Sequence, residues 1–170
     1  MHTRLNSIVL KEFHLNEDVP LGQRNFYNTN LQGVIGFDFN INTPFKKFCT
    51  LPINFTKKEN NQLVITIDKF LGKDYFWFNS SISEIRMELF ILHRQLNYME
   101  KYETQTITLN IQKDKIHLAS EWIVENTLHD SITIITGQLW YLENSITKNE
   151  VMRNSIAFHP SSILYLDNGI

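Results

Sequence analysis

Residues 82–96, ISEIRMELFILHRQL, decide the fold class of this 170-residue chain. Read with a period of two, Ile85, Met87, Leu89 and Ile91 line one face of a strand. Read with a helical period, Ile82, Ile85, Leu89, Leu92 and Leu96 form a single stripe instead. Composition inside the stretch does not arbitrate, because Arg86, Met87, Glu88 and Leu89 all tolerate a helix. The neighbours do. Upstream, QLVITIDK (62–69) alternates Leu63, Ile65 and Ile67 with Val64, Thr66 and Asp68, as a half-buried strand requires. Downstream, TQTITLNIQ (104–112) alternates Ile107, Leu109 and Ile111 with threonines and Asn110. With β on both sides, 82–96 reads as a strand.

Working outward, the polar run KKENN (57–61) joins LPINFT to the 62–69 strand as a hairpin loop, and KDK (113–115) turns the chain into IHLAS. SITIITGQLWYL (131–142) is a further strand, in which the adjacent Ile134 and Ile135 and the following Gly137 break phase as a β-bulge would. NSIVLKEFHL and GVIGFDFNI add two strands near the start. SIAFHPSSILYL is interrupted by Pro160, which confines it to an edge or splits it. KDYFWFN (73–79) reads as a strand with Tyr75 and Trp77 on one face and Phe76 and Phe78 on the other, at least one of those faces being core.

Composition agrees. Alanine, the best helix former, occurs only at Ala119 and Ala157. Aromatic residues make up 12% and the hydrophobic set 42%, enough for a real core. The expected architecture is all-β, or β-rich with one short helix: an antiparallel sandwich or barrel of roughly eight strands. It is read as one domain over residues 1–170, with a split into two subdomains near residue 100 as the alternative. The similar runs after Trp77 and Trp122 keep open a duplication, although two unrelated hairpins would look the same.

The net charge is −2, and Lys and Arg cluster no further than pairs such as Lys46-Lys47. A duplex-binding protein needs a basic stripe to displace phosphate counterions, so nucleic acid is not an expected partner. The apolar run Ile8-Val9-Leu10 is too short for a signal-peptide core or a membrane span. With a single cysteine, Cys49, the chain is expected to be cytoplasmic, and no membrane partner is expected. The sequons at Asn54 and Asn79 are read as chance in an asparagine-rich chain.

No catalytic residue, metal ligand or cofactor is assigned. His117 and Glu121 would share a helical face as a metal pair, but their surroundings read partly as strand. His129-Asp130 resembles half a dyad, yet a turn-forming Asp explains it better. Cys49 follows two lysines but has no visible base, and free cysteine is usually buried. Scattered glycines form no phosphate loop. The best leads are aromatic: Tyr75, Trp77, Trp122 and Trp140 as a stacking platform, or else as strands covered on both sides. Three functions follow. The first is a non-catalytic β module acting through a protein partner or self-association, as a subunit or adaptor. The second is a carbohydrate or small-ligand binder using those aromatics. The third is an enzyme whose site comes from distant loops, with His14, His93, His117, His129 and His159 as candidate bases.

Overall fold

A computed structural model describes residues 2–59, 61–95, 101–128, 130–143, 151–152, 154–155 and 157–169. Its strands are β1 (Asn54–Lys57), β2 (Gln62–Ile67), β3 (Phe70–Leu71), β4 (Ile82–Gln95), β5 (Tyr102–Gln112), β6 (Ile116–His117), β7 (Ser120–Glu125), β8 (Ser131–Glu143), β9 (Val151–Met152) and β10 (Ser161–Asp167). Three helices, α1 (His2–Leu15), α2 (Phe45–Phe48) and α3 (Gly72–Tyr75), accompany them.

The decisive stretch is a strand. β4 runs through the middle of a long antiparallel sheet of order β10-β8-β4-β5, with β9 also on β8. It pairs with β5 from Glu84↔Gln112 to Arg94↔Tyr102, and with β8 from Ile82↔Glu143 to Gln95↔Ser131. Ile85, Met87, Leu89 and Ile91 are each 0% exposed, which is the period-two face. Full burial of such a side chain is worth about 1.5–3 kcal/mol. The helical stripe would have required Leu92 to be buried with Leu89, and Leu92 lies on the other face, only partly covered.

A second antiparallel sheet, β1-β2-β7, lies over that inner face. Leu63, Ile65 and Ile67 of β2 and Val124 of β7 share core clusters with Leu89, Ile91, Ile107, Ile111, Ile135 and Tyr141 of the long sheet. The KKENN hairpin therefore joins β1 to β2 in the register Asn54↔Thr66 to Lys57↔Leu63. Neither sheet closes on itself, so the antiparallel sandwich is realised and the barrel is not. Both sheets draw strands from either side of residue 100. The long sheet's opposite face is covered over β8 and β10 by the amino-terminal region. There Ile132, Ile163 and Leu166 pack with Leu31, Val34 and Phe37 and with Leu5, Ile8, Val9 and Phe13 of α1. Among the described residues no helix is long and apolar enough to cross a membrane.

Four local expectations are corrected. NSIVLKEFHL belongs to helix α1, because Leu5, Ile8, Val9 and Phe13 fall on one helical stripe that rests on the sheet. GVIGFDFNI is a 3-10 turn (Gln32–Val34) followed by an irregular segment with a single bridge, Asp38↔Ser162. KDYFWFN is no strand: Gly72–Tyr75 is a helical turn, and Phe76 then makes one bridge to Cys49. Phe76 and Phe78 still point inward and Trp77 outward. The bulge sits not in β8 but opposite it, in β10, where the register slips between Ile163 and Tyr165. That slip turns both Leu164 and Tyr165 toward the inner core. Gly137 is needed beneath it: a Cβ there would stand 2.5 Å from Leu164 Cδ1 and 3.1 Å from Phe45 Cζ.

Candidate functional site

The four aromatic candidates occupy separate environments. Tyr75 packs edge-on against Phe70 at 6.1 Å. Trp122 lies on the inner side of β7 and packs, partly buried, on the core. Trp140 is on the outer face of β8, where its indole N–H donates to Glu88 Oε2 at 2.7 Å and its ring stands 4.5 Å from that of His159. Gln138 Nε2 donates to the same Glu88 oxygen, so this tryptophan is tied into a polar cluster. Trp77 is 46% exposed, with its ring edge-on to Phe48 and Tyr141. It lines a shallow cavity with Tyr141 and Phe158, whereas Trp140 lines a different one with His159 and Phe39.

Among the described residues the candidate histidines do not converge either. His14 is in the last turn of α1, and His129 lies outside the described residues. His117 is in β6, its ring stacked 4.8 Å from Phe70, while Glu121 is on β7, so the two do not share a helix. Among the described residues no three His, Cys, Asp or Glu side chains group as a metal site. Desolvation lowers the pKa of His159, opposed by the Glu88 carboxylate. His93 sits on the inner face, 3% exposed, with Nδ1 2.8 Å from Thr133 Oγ1. Burial holds its pKa low, and Glu103 opposes that less strongly. Cys49 is buried, and desolvation pushes its thiol up to about 12, so it is a poor nucleophile near neutral pH.

What the fold does leave open is a sheet edge. Among the described residues β5 pairs on one side only, with β4, and ends the long sheet. Residues 104–112 carry no charge, proline or glycine. The side chains facing outward from the sandwich (Thr104, Thr106, Thr108 and Asn110) are exposed, while Ile107 and Ile111 are buried. Soluble proteins ordinarily blunt such an edge with lysine, proline, a bulge or a short strand. β5 shows none of these over its last nine residues. Exposed apolar side chains occur in β5 and in the elements that follow it: Tyr102, Ile116, Leu118 and Ile123, Leu118 by 76%. The segment after β7 reaches β5 through a hydrogen bond from Thr127 Oγ1 to Glu103 Oε1, and α3 meets the turn after β5, where Lys73 N donates to Lys113 O at 2.8 Å.

Sequence reading located this strand by its alternation. Its edge position was not visible there, because which strands flank 104–112 depends on β4 and β8 pairing across the whole chain. No family model matches the chain, and comparison with curated proteins and with solved structures returns no match.

Proposed function

We propose that this chain is a non-catalytic β module that works through protein contacts, as a subunit of a larger assembly built by strand addition at β5. The observation that carries the reading is the long, unblunted edge, uncharged over residues 104–112. A second copy is the occupant that fits. Antiparallel pairing of two β5 edges about Ile107 sets Thr106 against Thr108 and Thr104 against Asn110, with no like charges opposed within β5, Lys101 and Lys113 meeting just beyond its ends. Glu103 then faces Ile111. Such a two-fold contact continues the sheet. The cytoplasmic reading accompanies this one: the lone thiol is buried and nothing in the fold calls for an oxidising compartment.

The test is size-exclusion chromatography with light scattering on the wild type and on the double variant Thr106→Lys/Thr108→Lys. Both positions are exposed, and their β4 neighbours are Phe90 and Glu88, so the ladder within one chain tolerates the lysines. The wild type is expected at twice the chain mass at tens of micromolar, and the variant, with lysines opposed across the two-fold, at the single-chain mass. A monomeric wild type at that concentration, or a variant that associates equally well, overturns the proposal.

A further inference from the structure

A polar cavity of about 300 Å³ opens where the carboxyl end of β4 meets the ends of β1, β8 and β10. Three features mark it as built rather than incidental. The first is His93, almost wholly buried in its lining, with Nε2 lacking a hydrogen-bond partner among the described residues. A buried unpartnered polar atom costs about 1–3 kcal/mol. The second is backbone conformation. Among the described residues the two non-glycine residues in the left-handed region are Asn61 (φ 59°) and Asp130 (φ 48°), and both line this cavity. Such conformations concentrate at binding sites. The third is a hydrogen-bond chain that fixes the histidine. Asn126 Nδ2 donates to Ser131 Oγ at 2.7 Å and to Thr133 Oγ1 at 3.5 Å. Thr133 Oγ1 in turn lies 2.8 Å from His93 Nδ1, so the ring is held in one orientation. The cavity wall thus contains a buried, fixed imidazole.

The rest of the lining narrows the ligand. Asp167 is neutralised by Lys57 Nζ at 2.7 Å, so Asp130 leaves the described lining with one net negative charge. That disfavours phosphates and carboxylates. Asn168 also lines the cavity, its side-chain nitrogen donating to the carbonyls of Phe26 and Thr29. Two tyrosines, Tyr27 and Tyr165, are part of the lining, the second also packing on Phe55 with ring centroids 5.1 Å apart. Desolvation, aided by Asp167, pushes the Tyr165 phenol up to about 12, so it stays a donor. Neutral amides, hydroxyls, a carboxylate and aromatic faces match the alternating O–H and C–H surface of a sugar. The volume lies at the small end for ligand sites. We infer that this cavity binds a neutral polyhydroxylated ligand the size of one sugar ring, with the wall built on His93, Thr133 and Asn126 as its polar side.

The experiment is saturation-transfer NMR on the full chain with D-glucose, D-galactose, N-acetylglucosamine and myo-inositol, followed by titration. Inorganic phosphate serves as the anionic competitor. The expected result is transfer to at least one of the four, no displacement by phosphate, and about tenfold weaker binding in His93→Gln. Tyr27→Ala, at an exposed position, is expected to weaken binding too, and it decides the matter if His93→Gln does not fold. Absence of transfer from all four, displacement by phosphate, or binding unchanged in the folded variants overturns the inference.

Discussion

Gly137→Ala, a single methyl group, should be felt across both core layers. The added Cβ would stand 2.5 Å from Leu164 Cδ1 and 3.1 Å from both Leu164 Cγ and Phe45 Cζ. Leu164 cannot simply swing away, because the β10 bulge places it against both halves of the inner core. Overpacking of this kind costs about 1–3 kcal/mol, while removing a strand glycine returns about 0.5–1 kcal/mol. The net expected loss is about 1–2 kcal/mol. For a chain of this length that lowers Tm by roughly 2–8 °C. The assay is urea unfolding followed by tryptophan fluorescence and circular dichroism, run as a double-mutant cycle with Leu164→Ala. Leu164→Ala alone should cost about 2 kcal/mol. In that background the alanine at 137 has space, and its cost should fall to near zero, a coupling of about 1–2 kcal/mol. Equal losses from Gly137→Ala in both backgrounds would show that the glycine is not there for Leu164, and would refute this reading of the bulge.

Two further outcomes follow from the same structure. His93 and His159 both have folded pKa values lowered first by desolvation. Their contribution to stability is therefore whole above about pH 6.5. It is lost as pH falls, since the unfolded chain takes up protons that the buried rings refuse until their own lowered pKa values are reached. The groups facing His93 are Glu103, Asp130, Asp167 and Lys57. Urea midpoints measured between pH 8 and pH 5 should fall, and His93→Gln should flatten the slope; an unchanged slope would contradict the burial assigned to that ring. Acrylamide should quench chiefly Trp77, the most exposed of the three indoles. Trp77→Phe should remove most of the quenchable emission, and persistent strong quenching would contradict the packing of Trp122 or Trp140.

Legibility in the sequence followed the range of the forces involved. Residues 62–69, 82–95 and 104–112 were readable because one-sided burial imposes a period of two on each strand by itself. The apolar run Ile8-Val9-Leu10 misled, since the helical stripe that Ile8 and Val9 form with Leu5 and Phe13 matters only once the β8 and β10 face exists to receive it. KDYFWFN misled for a similar reason. Gly72 presses so closely on β5 that a Cβ would stand 2.2 Å from the Gln112 carbonyl oxygen, and the chain turns helically there. The polar cavity had no local signature at all. His93, Asn61, Asp130 and Tyr165 come from separate segments, and only the left-handed asparagine and aspartate, residue types that tolerate that conformation, offered a hint.

Hydrogen exchange along β5 tests the central claim most directly. Amides of residues 104–112 that point away from β4 have no partner within the described chain, and strand addition by a second copy would supply one. Exchange followed by mass spectrometry at low and high protein concentration should show protection in this segment rising with concentration, while the β1 and β10 segments stay unchanged. Exchange in residues 104–112 that is fast and independent of concentration would contradict assembly through this edge.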